Sequence, residues 1–191
     1  MIRNRLSVLL AERGLKATKV SNDTGIAKST LSKITNNSSE KIDYSTINTL
    51  CRYLRITPCD FFEYEPLDVS FFVDISDKLL YDPKEEPLTY KVEAYLNIDE
   101  DSEKKTFEYV GQMIDFGSFQ DGQQVVRLDL EPISKKEADR LVLFFSNIKP
   151  SFITDIHSKF EKEVRRALDA KGYTQVLNDA VDISLMMKNS K

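Results

Sequence analysis

Apolar residues three or four apart dominate the first third of the chain. Ile2, Leu6, Leu9 and Leu10 share one face of a first predicted helix, which Gly14 stops. Ala17, Val20 and Ser21 predict a short second helix ending at Gly25, and Leu31 with Ile34 predicts a third. A polar loop, Asn36–Glu40, precedes a fourth helix built on Ile47, Leu50, Cys51 and Leu54. Thr57-Pro58-Cys59-Asp60 opens a fifth: Thr57 is a good N-cap, Pro58 suits the first turn, and Asp60 can reach back to close a capping box. The pattern predicts an all-α five-helix bundle over residues 1–65.

After a short acidic link at Glu63–Pro66 the period drops to two. Val69, Phe71, Val73 and Ile75 predict a strand. Leu88, Tyr90, Val92, Ala94, Leu96 and Ile98 alternate with Thr89, Lys91, Glu93 and Asn97, the mark of a sheet wet on one face. Return strands are expected near Thr106–Ile114 and Gln124–Leu130, which makes an antiparallel meander. The helical period then returns. Ser134-Lys135-Lys136-Glu137 reads as a capping box before Leu141, Val142, Phe144 and Phe145. Pro150 starts a long helix with Ile153, Ile156, Phe160, Val164 and Leu168 as its stripe and Gly172 as its stop. Val181, Ile183 and Leu185 suggest a last short strand. Residues 67–191 are therefore expected to form an α+β domain, an antiparallel meander plus two helices.

Composition narrows the class. The 191 residues are 41% hydrophobic and 30% charged, enough apolar material for a core. No apolar run approaches the ~18 residues of a membrane span, and Arg3, Arg5, Glu12 and Arg13 interrupt any signal-peptide pattern. A soluble, cytoplasmic protein with no membrane contact is expected. Two cysteines and one histidine exclude a thiolate zinc site and a two-histidine metal site, so neither a metal nor a cofactor is expected. Cys51 lies on the apolar stripe of the fourth helix, and Cys59 is likewise read as a buried packing residue. Charge is strongly segregated. Residues 1–57 carry ten Lys/Arg against four Asp/Glu, and residues 58–191 carry seventeen against twenty-seven. A basic first third in a net acidic chain suits a polyanion held at one end.

Leu15–Asn36, LKATKVSNDTGIAKSTLSKITN, resembles the helix-turn-helix of the Cro/phage-repressor (XRE-type) family of transcriptional regulators. Gly25 matches the turn glycine, Ile26, Leu31 and Ile34 the core positions, and Ser21 the position that wants a small side chain. LCRYLRITPCDFFEY resembles the family's closing helices, so the likeness covers about residues 6–62. Two positions depart from the pattern. Ala17 stands where Gln is common, and Ala27 replaces the usual Ser N-cap of the third helix, at a cost of about 1 kcal/mol.

The resemblance implies a lambda-repressor-like DNA-binding domain whose recognition helix, 28–36, lies in the major groove of double-stranded operator DNA. It assigns base contacts to Lys28, Ser29, Thr30, Ser32 and Lys33, and phosphate contacts to Asn36, Ser38, Ser39 and Lys41. It also implies a homodimer or higher oligomer, with 67–191 as the oligomerisation or regulatory part. Either the long helix or the meander edge can supply that contact. Two alternatives stay open. One is a sensor that binds a small molecule or peptide among Phe71, Phe72, Tyr90, Tyr95, Phe107 and Tyr109. The other is an antitoxin-like protein whose acidic part binds a partner protein or an antirepressor.

No enzyme is expected. A self-cleaving peptidase needs a serine, a lysine base and an Ala-Gly cleavage site; no Ala-Gly dipeptide occurs, and Ser118 has no evident lysine partner. The acidic cluster Asp99, Glu100, Asp101, Glu103 lacks the ligand spacing and glycine of a calcium loop and reads as a solvated hairpin tip. His157, beside Ile156 and Phe160, reads as a rim or core histidine.

Overall fold

The computed structural model describes residues 1–80, 87–100, 103–118, 124–173 and 181–183. It divides into two compact units, Met1–Glu65 and Pro66–Lys191.

The first unit runs β1 (Ile2–Asn4), α1 (Leu6–Glu12), α2 (Ala17–Thr24), α3 (Lys28–Thr35), α4 (Tyr44–Leu54), α5 (Pro58–Phe61) and β2 (Phe62–Tyr64). Leu6, Leu9, Leu10, Val20, Leu31, Ile34, Leu50, Cys51, Leu54 and Phe61 form its core, and burial pushes the Cys51 thiol pKa up. The Thr57–Asp60 capping box forms in both directions, and its hydrogen bonds hold the Asp60 carboxyl below the ordinary range.

Four expectations need correction. The unit is not all-α: β1 and β2 pair antiparallel, Ile2 opposite Tyr64 and Asn4 opposite Phe62. The backbones of Met1 and Glu65 bond on either side at 2.6 and 3.0 Å, so most of the segment read as a link belongs to this ladder. Ile2 accordingly leaves the first helix and lies 69% exposed. Cys59 is exposed as well, because α5 is a single turn whose buried residue is Phe61.

The second unit contains β3 (Leu67–Leu79), β4 (Leu88–Glu100), β5 (Glu103–Ser118), β6 (Gln124–Pro132), α6 (Lys135–Ser146), α7 (Pro150–Ala170) and β7 (Val181–Ile183). The sheet order is β3-β4-β5-β6-β7. The first four strands form the expected meander, longer than the sequence pattern indicated, and β7 adds to β6 in parallel. Leu185, Phe119, Asp101 and Gly122 lie outside the described residues.

Val92, Ala94, Leu96 and Ile98 of β4 are buried, with Phe107, Tyr109 and Met113 of β5 and Val126, Leu128 and Leu130 of β6. Phe152, Ile156, Phe160, Val164 and Leu168 of α7 complete this core. Phe71 stacks on Phe160 at 4.6 Å and Tyr109 lies 5.3 Å from the same ring.

Some details differ from the pattern. Phe152, rather than Ile153, is the first buried residue of α7, and Thr89 is buried at the start of β4. Val142 is half exposed because α6 turns Ala138, Leu141 and Phe145 inward. The box at Ser134 closes on one side only. Its hydroxyl accepts from Glu137 N–H at 3.2 Å, while the Glu137 carboxylate turns to Arg140 at 2.7 Å.

Candidate nucleic-acid interface

α2 and α3 are joined by Gly25-Ile26-Ala27, and the turn needs Gly25 at φ 76°, a left-handed value unfavourable for a side-chain-bearing residue. Two side chains hold this turn. Ser21 Oγ donates to the Ile26 carbonyl at 2.7 Å. Thr24 Oγ1 accepts from Ile26 N–H at 3.3 Å and donates to the Val20 carbonyl at 2.6 Å. Ser21 is thus more than a small residue: its hydroxyl spans the corner. Ala27 makes no side-chain cap to α3, as the departure from the family pattern implies.

Leu31 and Ile34 bury one side of α3. At about 100° per residue, Ser29, Ser32 and Lys33 lie on the opposite side and Lys28 and Thr30 flank them. All five are exposed. The structure therefore brings the five predicted base-contact residues onto one accessible surface.

The far end of α3 is closed by Asn37, which takes φ 50°. Asn37 N–H bonds the Ile34 carbonyl at 3.0 Å and Ser38 N–H bonds the Lys33 carbonyl at 2.9 Å, a Schellman closure with asparagine in the left-handed position. Buried Asn4 then anchors this end. Its Nδ2 donates to the Ile34 carbonyl at 2.8 Å and to Asn37 Oδ1 at 2.7 Å, while its Oδ1 accepts from Leu6 N–H at 3.0 Å. One side chain therefore joins the start of α1 to the end of α3.

The four predicted phosphate residues differ in availability. Asn36 and Lys41 are exposed and Ser39 is half buried. Ser38 is engaged: its hydroxyl donates to the Lys33 carbonyl at 3.2 Å, alongside its own N–H.

α2 is braced against α4. Tyr53 OH donates to Asp23 Oδ2 at 2.6 Å, and Lys19 Nζ lies 3.0 Å from the same oxygen. The tyrosine hydrogen bond and then the lysine hold the Asp23 carboxyl below the ordinary range, and Asp23 in turn raises Lys19.

Ion pairing sorts the basic residues. Arg3 and Arg5 pair with Glu63, Arg13 with Glu12, and Lys19 with Asp23. Lys16, Lys28, Lys33 and Lys41 are exposed and have no carboxylate partner among the described residues. The charge without a carboxylate partner therefore lies on α3, in its following loop, at the residue before α2, and on Arg52 and Arg55 at the end of α4. Lys16, read from the sequence only as part of the charge balance, stands exposed as the residue preceding α2. Tyr44, 90% exposed at the start of α4, was also overlooked, because a lone aromatic in a polar segment breaks no pattern.

The second unit offers less. Glu100 pairs with Lys105 at 2.7 Å across the β4–β5 turn, and no group of three or more potential metal ligands occurs among the described residues. His157 is half buried, with Nδ1 3.8 Å from Glu161. Among the described residues no helix is long and apolar enough to cross a membrane.

Residues 5–66 match the family model of the Cro/C1-type HTH DNA-binding domain. This segment is a Cro/C1-type helix-turn-helix, covering about a third of the chain. It marks the protein as a DNA-binding transcriptional regulator that engages double-stranded DNA. No curated protein and no solved structure matches the chain at a significant level.

Proposed function

We propose that the protein is a sequence-specific repressor of the kind carried by phages and mobile elements. It binds operator DNA as a dimer and has no enzymatic activity. The observation that carries this reading is the distribution of unpaired charge. Lys28 and Lys33 on α3, Lys41 in the loop after it and Lys16 before α2 have no carboxylate partner among the described residues, nor do Arg52 and Arg55 at the end of α4, while Arg3, Arg5 and Arg13 are offset by Glu12 and Glu63. Lys28 and Lys33 donate to guanine O6 and N7, and Ser29, Thr30 and Ser32 make tolerant contacts to neighbouring bases. Asn36, Ser39 and Lys41 hold phosphates and fix the register of α3 in the groove.

A single module of this size buries little surface. Two modules on half-sites roughly 34 Å apart nearly double the binding free energy and select palindromic sites. Residues 67–191 supply the pairing in this reading. Three of the six aromatic residues that a ligand sensor would place around a cavity are packed against other rings instead. Phe71 and Tyr109 pack on Phe160, and Phe107 packs on Phe144 at 5.8 Å.

The test compares residues 1–66 with the full chain on a palindromic operator. Much weaker binding by the short form, regained when it is fused to an unrelated dimer, is the expected result. Equal affinity for the two forms contradicts the assignment of pairing to 67–191.

A further inference from the structure

Alternation along the β1–β2 ladder decides where the Asn4 backbone points. Met1 and Glu65 exchange backbone hydrogen bonds, so Ile2 with Tyr64 is a non-hydrogen-bonded pair, Arg3 with Glu63 a hydrogen-bonded one, and Asn4 with Phe62 again non-hydrogen-bonded. Arg5 N–H donates to the Phe61 carbonyl at 2.8 Å, in phase with this alternation. The N–H and C=O of Asn4 are thus turned away from β2, off the open edge of the ribbon. The Asn37 side-chain amide meets both of them, accepting from the first and donating to the second. The end of α3 is in this way bonded to a two-stranded ribbon.

α3 needs such a hold. It has eight residues, too few to be stable alone, and Leu31 and Ile34 are its buried ones. Two contacts one turn apart fix which face turns inward but leave the helix free to tilt about them. At its start Ala27 supplies no cap, and the Ser21 bond to the Ile26 carbonyl holds the corner. At its end Lys33 lies beside the clasp: its carbonyl accepts from both the N–H and the hydroxyl of Ser38, the residue that follows Asn37.

We infer that Asn37 is a positioning residue for base reading. It fixes the tilt of α3 against the ribbon and so sets where the Lys33 ammonium arrives in the groove. The inference rests on the base-contact reading above and adds the residue that makes those contacts precise. A recognition constellation must be held to about 0.5 Å, whereas attraction to the phosphate backbone depends on net charge and survives a small shift. A loosened clasp therefore costs discrimination between sequences and leaves non-specific binding in place.

The experiment uses the full chain and two duplexes: the one that the parent selects from a random library, and a scrambled duplex of the same length and composition. Asn37→Gly is the sharpest variant. Glycine tolerates the φ of 50° that closes α3 and removes the side-chain amide. The variant is expected to stay folded, to bind the scrambled duplex as the parent does, and to lose about tenfold in the ratio of the two affinities. Selection repeated with it should relax the base positions that Lys33→Ala relaxes and keep those that depend on Lys28. Asn4→Ala cuts the clasp from the other side and should relax the same positions. Thr57→Ala opens the capping box of α5 and controls for stability; its ratio should match the parent's.

Ratios within about twofold of the parent's for folded Asn37→Gly and Asn4→Ala overturn the inference. An equal loss in Thr57→Ala overturns it as well, because the ratio would then follow stability alone. If Lys33→Ala keeps every base preference, the base-contact reading of Lys33 falls instead, and the ratio for Asn37→Gly still decides whether the clasp positions α3.

Discussion

The side-chain amide of Asn37 grips the backbone of Asn4 as a neighbouring strand would. Its Oδ1 accepts from Asn4 N–H at 2.8 Å and its Nδ2 donates to the Asn4 carbonyl at 3.1 Å. The Asn4 side chain, only 4% exposed, meanwhile holds the last turn of α3 and the first of α1. Asn4→Ala therefore leaves the Leu6 N–H without its partner and takes one of two donors from the Ile34 carbonyl, which keeps Asn37 N–H. The expected cost is about 1–3 kcal/mol for one buried unsatisfied group. Hydrogen exchange should show faster opening at the α3 amides. Unchanged protection there would exclude the clasp as the anchor of the recognition helix.

Gly111 of β5 is constrained by contact rather than by dihedral angle. A Cβ at this position would stand 1.9 Å from the Asp129 carbonyl oxygen of β6. Gly111→Ala must push the two strands apart and is expected to cost about 3 kcal/mol, at the upper end of overpacking effects. Thermal unfolding monitored by near-ultraviolet dichroism checks this, and a melting temperature unchanged from the parent would contradict it.

Arg55 ends α4 in the left-handed region at φ 55°, where its Cβ is unfavourable. Arg55→Gly removes that strain at an exposed position and is expected to stabilise the first unit by about 1 kcal/mol. Urea unfolding with the midpoint compared between the two proteins is the appropriate measurement. A loss of stability would mean that the arginine side chain makes a larger contribution than its backbone costs.

Asp23 and Asp60 both have carboxyl pKa values below the ordinary one, mainly through hydrogen bonds from Tyr53 and Thr57 respectively. A carboxylate depressed in the folded state stabilises it above the unfolded value of about 4 and loses that contribution as pH falls through the folded value. Stability of the first unit should thus decline below about pH 4, and Asp23→Asn should flatten that decline. An identical acid limb in the variant would rule out Asp23 as a contributor.

The helices of the first unit were legible because Leu6, Leu9, Leu31, Ile34, Leu50 and Leu54 repeat at the helical period and Gly25 and Thr57 punctuate them. The β1–β2 ladder was not. Ile2–Asn4 and Phe62–Tyr64 are three-residue strands, too short for alternation to register, and their partners are some sixty residues apart. The clasp escaped notice for a related reason: Asn4 and Asn37 are unremarkable polar residues until the fold sets them side by side. In the second unit the meander showed in its alternation, whereas Phe152 replaced Ile153 because helical spacing alone does not fix which neighbour faces the sheet. The exposure of Lys28, Ser29, Thr30, Ser32 and Lys33 was readable because it follows directly from where Leu31 and Ile34 point. The engagement of Ser38 with Lys33 depended on the Schellman geometry at Asn37, which sequence spacing does not reveal.

The measurement closest to the centre of this account is footprinting of the full chain on the DNA flanking its own gene, beside the variant Lys28→Ala with Lys33→Ala. Both lysines are exposed, so the variant should melt close to the parent. It should lose about 1–3 kcal/mol of discrimination for each base contact removed. The expected outcome is a discrete pair of protected half-sites that disappears in the variant while weak, salt-sensitive binding persists. Protection of the same half-sites by the variant would show that α3 does not read the DNA.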